Sequence, residues 1–324
     1  MPDNDERKQD MAQFLELWHS AAVELSKKVG CNVLPIVKYF ETGAHSAPLP
    51  KTGFAAGEVI PDLCAHIAKA DIVIAMTTFS ATGPLFRITA ETGNRAVSIP
   101  GAQADMWPAM SIDYLMLKKR SDALKSLLEE ATGIEVSFSG KHVPEGTNLF
   151  VDVRGSKWHT DGKCGNPGES TNLPAGEVYC VPRESSSETR GTWPVYSPED
   201  GNVVLLKVEG NKIIDVPGDS RKAVGMRRAI EKDPNCANVA EMSFGLNDAA
   251  RSGEDVSVIE KEKAGPHIAW GMSIHLGGTV TAGQHNDEVY TNDTPVTVTV
   301  HAVYERDGSA ARKLIAENGK VVAV

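Results

Sequence analysis

The sequence predicts an α+β protein, with an α/β domain over residues 1–138 and a mainly antiparallel β domain over residues 139–324. Three observations predict this. Up to Gly133, strand-length apolar runs alternate with amphipathic helical segments, the pattern of a helix-covered, mostly parallel sheet. Beyond Gly133, short alternating runs are punctuated by Gly, Asn, Asp and Pro, the pattern of antiparallel strands and hairpins. The 324 residues, 41% hydrophobic and 23% charged, suit about two globular domains with sizeable cores.

The elements follow in order. Residues 5 to about 30 read as a helix, with Phe14, Leu15, Leu17, Trp18, Ala21, Ala22 and Leu25 on one broad face. CNVLPIVKYF reads as a strand despite Pro35, GEVIPDLCAHIAKA as a helix, and DIVIAMT (Asp71 to Thr77) as a buried strand. GPLFRITAETGNR predicts a helix ended by Gly93-Asn94, and AVSIPG another strand. The longest helix candidate begins at Met110 and has Gly133 as its stop signal. The domain boundary is expected near residues 132–146. Then come IEVSFSG, TNLFVDVRG, GEVYCVP, NVVLLKVEG, NKIIDVPG and TPVTVTVHAVY as strands, with EGNK (Glu209 to Lys212) as a hairpin turn. One helix, DSRKAVGMRRAIEK from Asp219, interrupts them.

The bulk properties exclude several function classes. A net charge of −10 and a pI near 5.4, with no basic block, disfavour nucleic-acid binding. No apolar run approaches the roughly 20 residues needed to span a bilayer. The N-terminal MPDNDERKQD lacks the apolar core of a signal peptide. Cys31, Cys64, Cys164, Cys180 and Cys236 are odd in number and widely spaced, so free thiols in a reducing compartment are expected. A cytoplasmic protein is the expectation.

The chemistry-bearing residues collect in the second half. His285 and Asp287, in GQHND, are two apart, so on a strand they point to one side. An H-x-D pair alone is more often an ordinary hydrogen bond than a metal site. His267 opens the apolar run HIAWGMSI, Glu177 follows the turn Pro174-Ala175-Gly176, and Glu241 precedes the turn at Gly245 and Asn247. These five N/O donors suit a pair of Zn²⁺, Co²⁺ or Mn²⁺ ions bridged by a carboxylate, whereas His267, His285 and Asp287 alone suit one Fe(II). The residues by themselves leave both open.

NLPAGEVY, EMSFGLN, GPHIAWG and the closing H-x-D resemble, in order and surroundings, the thermophilic metallo-aminopeptidases of the leucyl aminopeptidase or aminopeptidase T group. The resemblance covers residues 140–310 best. It implies a dinuclear site held by Glu177, Glu241, His267, His285 and Asp287, a homodimer, and hydrolysis of an amide bond in a small or short-peptide substrate. Two departures stand out: Ile274 occupies the family's tyrosine position, beside His275, and the segment between His267 and His285 is compressed. These place the chain closer to a shorter branch that includes Fe(II)-dependent 2,5-dihydroxypyridine dioxygenases, which makes ring cleavage the alternative expectation. The glutamates retained here favour a dinuclear site and therefore hydrolysis. Glu241 or Glu260 is the expected proton shuttle, although Glu260 and Glu262 in IEKEKAG also read as a charged surface run. Lys261 or Lys263 is the candidate for binding a substrate carboxylate.

Overall fold

A computed structural model describes residues 4–43, 47–162, 164–253, 256–306 and 308–324. The chain forms two compact units, Met1–Ser111 with Gly162–Ala175, and Ile112–Asp161 with Gly176–Val324. The division thus falls after Ser111 rather than near residue 138, and a short segment of the second half returns to the first unit.

In the first unit, α1 (Asn4–Val29) carries Phe14 against Met76 and Ile99, with Met11, Leu15 and Trp18 packed around them. Leu17 and Leu25 remain exposed, so the apolar face is narrower than the sequence predicts. Met76 lies on β4 (Ile72–Thr77) and Ile99 on β5 (Arg95–Pro100), and β5 also pairs with β9 (Ser170–Asn172), giving a parallel sheet in the order β4-β5-β9. Ala96, on the opposite face of β5, packs on Leu85 of α3 (Thr82–Thr92), so helices cover both faces. Gly93, left-handed at φ 76°, ends α3 as expected.

Two expectations fail here. Only Val37–Lys38 of CNVLPIVKYF forms a strand, β1, and it joins the antiparallel β2 (Gly53–Ala55) and β3 (Glu58–Ile60) rather than the parallel sheet. Pro35 has no N–H to offer a ladder, which shortens the run. The expected helix over GEVIPDLCAHIAKA splits into β3 and the short α2 (Leu63–Ile67). Val59 and Ile60 favour the strand, Pro61 ends it, and the Asp62 side chain caps the helix by accepting from Ala65 N.

The second unit opens after α4 (Trp107–Met110) with α5 (Tyr114–Leu128), whose Asp113 cap accepts from the N–H groups of Leu115 and Met116. Gly133 is not its stop. It starts β6 (Gly133–Gly140), where a Cβ would lie 2.3 Å from the Phe150 ring, so a side chain there would have to displace that ring.

An antiparallel eight-stranded sheet follows, in the order β13-β12-β11-β7-β6-β17-β18-β19. Its remaining members are β7 (Asn148–Asp152), β11 (Arg190–Ser197), β12 (Asn202–Glu209), β13 (Lys212–Asp215), β17 (Val296–Arg306), β18 (Ser309–Glu317) and β19 (Lys320–Val321). Gly210 (φ 58°) and Asn211 (φ 67°) make the expected two-residue turn between β12 and β13.

A second antiparallel sheet has five strands in the order β16-β15-β14-β10-β8. These are β8 (His159–Thr160), β10 (Glu177–Cys180), β14 (Val239–Gly245), β15 (Pro266–Gly271) and β16 (His285–Val289). Tyr290, just past β16, joins the two sheets: its hydroxyl accepts from Trp193 Nε1 at 2.6 Å and donates to Pro194 O, and its ring meets Phe138. Beside this sheet lie α6 (Arg221–Lys232), capped by Ser220, and α7 (Val258–Lys263), capped by Ser257. All five cysteines are free thiols. Among the described residues no helix is long and apolar enough to cross a membrane.

Asp152 anchors the end of β7. Its fully buried carboxylate accepts from Arg154 N, Nε and Nη2 and from Glu188 N, at 2.7–3.1 Å. Burial alone would raise its pKa, but the hydrogen bonds from Arg154 and Glu188 hold it below the ordinary value. A depressed carboxylate adds stability above its unfolded pKa and loses it as pH falls through the folded one. Asp152→Ala is expected to cost about 2–4 kcal/mol, since it leaves the peptide N–H groups of Arg154 and Glu188 without their acceptor while the guanidinium keeps Glu188 Oε1 at 3.0 Å. Urea denaturation checks this, and the gap to Asp152→Asn is expected to narrow as pH drops below about 4.

Candidate metal centre

The register of the five-stranded sheet places every expected ligand on one face. Ala269 pairs with Glu241 on one side and Asp287 on the other, Gly271 pairs with His285, and His267 pairs with Ser243. On β10, Glu177 pairs with Gly245, two residues along from Ser243. Side chains alternate between faces, so Glu177, Glu241, His267, His285 and Asp287 share a face, with the small Ala269 and Ser243 among them. A bulge between Val239 and Glu241 sets this phase on β14. The opposite face is apolar and buried at Val178, Met242, Phe244 and Ile268, and carries Asn286 and Glu288 on β16.

The donor atoms fall into two groups that could each hold a metal ion: Glu177, Glu241 and His267, and Glu241, His285 and Asp287. Glu241 belongs to both. Its Oε1 lies 3.6 Å from His267 Nε2, and its Oε2 lies 3.2 Å from His285 Nε2. Glu177 Oε2 is 3.6 Å from His267 Nε2, and Asp287 Oδ1 is 3.4 Å from His285 Nε2. His267 Nε2 and Asp287 Oδ1 are buried and make no hydrogen bond. Ligand atoms about 2.0–2.2 Å from a tetrahedral ion stand about 3.3–3.6 Å from each other, so these separations fit edges of coordination polyhedra. Buried polar atoms that lack a hydrogen bond are costly unless something else satisfies them, and a cation bound between them would do so.

The imidazoles are oriented for this. His285 Nδ1 donates to Met272 O at 2.7 Å, and His267 Nδ1 faces Gly265 O at 3.4 Å. A carbonyl only accepts, so the proton sits on Nδ1 of His285 and Nε2 points into the cluster. The carboxylates draw positive charge strongly. Burial acts to lower the pKa of His285, but Asp287 and Glu241 outweigh it and push the value up to about 12. His267 is likewise raised, its burial outweighed by Glu241. Glu241 falls below the ordinary carboxylate range because the two histidines overcome its burial.

Lys263 supplies the one built-in cation of this face among the described residues. It is 1% exposed, contacts Glu177 Oε1 and lies 3.0 Å from Asp161 Oδ2. Asp161 in turn accepts from the N–H groups of Gly176 and Glu177 at 2.8 Å, fixing the start of β10. Gly245 makes this possible: a Cβ there would lie 2.4 Å from the Lys263 backbone, so α7 closes tightly on the end of β14. Burial pushes the Glu177 carboxyl up to about 7, with Lys263 opposing.

The other candidates are placed differently. Glu260 is buried, but its Oε1 lies 3.2 Å from Arg251 Nε, and it belongs to neither group. Its neighbour Glu262 faces the cluster: burial, then the charge of Asp287, raises its pKa well above the ordinary range. Lys263 is buried among carboxylates and is not presented to a substrate. His275 meets the His285 ring edge-on at 4.7 Å, and Ile274 is exposed. Glu184 holds their loop by accepting from Ser273 Oγ and from Thr279 N and Oγ1. Asp161, Glu262 and the buried role of Lys263 are missed by the sequence reading. The charge run EKEK looks uniform, and only the glycines at 245 and 265 hint that backbone closes on this segment.

Asp287→Asn keeps the shape and removes an anionic donor. Its metal affinity is expected to fall by more than the roughly 10–100-fold that loss of an orienting partner costs. Glu241→Gln is expected to depress both sites together. Metal content after dialysis, with circular dichroism to show the fold intact, checks both outcomes. Normal metal content in Asp287→Asn would mean that the pair only bond each other.

No protein-family model matches the chain, and no curated protein sequence matches it. Among solved structures it is similar to 2,5-dihydroxypyridine dioxygenase from Pseudomonas putida KT2440. That match has 19% identity and a TM-score of 0.61 and covers 81% of this chain and 74% of that one. It is also similar to AmpT from Thermus thermophilus, at 19% identity and a TM-score of 0.47, over 68% of this chain and 58% of that one. The chain therefore shares its fold with the dioxygenase structure.

Proposed function

We propose that this chain is a metal-dependent hydrolase that cleaves an amide bond in a small or short-peptide substrate. One observation carries the reading: the two oxygens of Glu241 face different histidines, in two donor groups that share only Glu241. That arrangement suits two ions of the Zn²⁺, Co²⁺ or Mn²⁺ type bridged by a carboxylate. Bound there, such ions lower the pKa of a water and polarise a carbonyl.

The protein's own residues divide the remaining work. Glu177, Glu241, His267, His285 and Asp287 would hold the ions, and Lys263 offsets the charge of Glu177. Glu262 is the group suited to carry the proton from water to the leaving amine. Glu241 is engaged by both histidines and Glu260 by Arg251, whereas Glu262 lies outside both donor groups with Lys263 Nζ 3.8 Å from its Oε2. A general acid–base group must exchange its proton during turnover, and a carboxyl that holds no ion is free to do so.

The alternative is an Fe(II) ring-cleaving oxygenase of the 2,5-dihydroxypyridine dioxygenase type, with one ion on His267, His285 and Asp287. His267 falls in one donor group and His285 with Asp287 in the other, which supports two ions over that single one.

Metal analysis of protein purified anaerobically tests the reading, with about two Zn, Co or Mn per chain expected for hydrolysis. One iron per chain, with oxygen uptake on a dihydroxypyridine, would replace it with the alternative. Glu262→Gln is expected to lower kcat by about 10²–10⁴-fold with metal content unchanged. A base must be deprotonated, so kcat is expected to rise with pH along an acidic limb. The variant should lose that acidic limb, which a pH–rate profile reads directly.

A further inference from the structure

We propose that the substrate is an extended peptide backbone that pairs with β16 as an added strand, which deepens the hydrolase reading and rests on it. β16 is the edge of its sheet, with β15 on one side and no other partner among the described residues. Met272 N donates to Gln284 O, and Tyr290 N donates to Pro266 O. In an antiparallel pair the inward and outward residues alternate. The backbone groups of residues 284, 286, 288 and 290 therefore face β15, and those of His285, Asp287 and Val289 face outward. The side chains of His285 and Asp287 belong to the metal centre. A strand laid along this edge would hydrogen-bond to the residues that carry the ligands.

Space for such a strand is present. A cleft of about 490 Å³ runs along residues 284–288, within the range of about 300–1,000 Å³ usual for ligand pockets. One wall is α6, with Arg221, Lys222, Gly225 and Met226, and Val258 of α7 also lines it. Lys222 is tied to Glu288 at 2.5 Å. Gln284 Nε2 and Asn286 Nδ2, buried along this edge, donate to no described group.

Gly225 is the second, independent observation. It sits inside α6, where glycine is less favourable than alanine. A Cβ there would meet nothing within 4 Å among the described residues, so packing against the protein does not require the glycine. Its lack of a side chain keeps the wall of the cleft flat, as close approach of another backbone requires. Strand addition to an exposed edge takes its affinity from main-chain hydrogen bonds, and alternate side chains give specificity. Trp270, Met226 and Val258 on the cleft favour apolar side chains.

The test is calorimetric binding of an end-blocked pentapeptide of alternating alanine and leucine to the full chain, stripped of metal to prevent turnover. Two versions are N-methylated at alternate positions of opposite parity. One parity is expected to lose affinity ten-fold or more and the other less than three-fold, because only every second N–H faces β16. Gly225→Leu should weaken binding ten-fold or more while the melting temperature holds or rises. Equal binding of the two N-methylated peptides, no binding of the parent peptide, or wild-type affinity in a folded Gly225→Leu would overturn the proposal. If the parity pattern holds but the zinc-loaded chain cleaves no amide, hydrolysis fails and the strand-binding edge stands.

Discussion

Charge balance on one sheet face is the constraint on which the rest depends. Glu177, Glu241 and Asp287 converge with two histidines where exposure is low. Buried carboxylates that face one another repel, and the interior offers little screening. Lys263 offsets the Glu177 end through its contacts with Glu177 and Asp161. At the other end the raised pKa of His285 shows how strongly the field calls for cations. The face therefore works as a receptor for positive charge, and the fold is arranged around holding it in place.

That arrangement depends on strand register and close backbone packing. A one-residue slip of β16 would turn His285 and Asp287 to the far face, so the pairing with β15 is also what defines the site. Glu288 on the far face of β16, buried and held by Lys222 and by Trp270 Nε1, opposes such a slip, and Tyr290 pins the strand end between Trp193 and Phe138. Gly245 lets α7 close on β14, which carries Lys263 and Glu262 to the same face from outside the sheet.

The two functional readings differ in how many ions this face holds. A carboxylate whose two oxygens address two imidazoles is suited to bridging, and a bridged pair suits attack of water on an amide. A single facial set leaves open positions for oxygen and substrate. The open edge of β16 adds a criterion that depends on substrate shape: an extended backbone exploits an unpaired strand, and a planar ring does not.

Much of this was legible in the sequence, and the parts that were not have a common cause. The change of rhythm near Gly133 marked the α/β and β-rich halves, and α3, β5, β12 and β13 stood nearly where periodicity put them. The five donors could be named because their motifs and order in the chain resemble a known family, although Glu241 and Asp287 lie inside β14 and β16 rather than at strand starts. Boundaries set by packing were not legible: α5 and β6 belong to the second unit, and Pro35 and Pro61 broke elements that hydropathy alone would extend. Nor could the sequence tell that Glu260 and Lys263 are buried while Lys261 and Glu262 stay partly exposed, since adjacent charges on a short helix look alike until packing covers one side of it. The amino-acid sequence by itself determined which residues could ligate and which strands would alternate. Tertiary structure decided which of them meet, because the meeting depends on strand register, on backbone approach at Gly245 and on the edge position of β16, all of which join residues far apart in the chain.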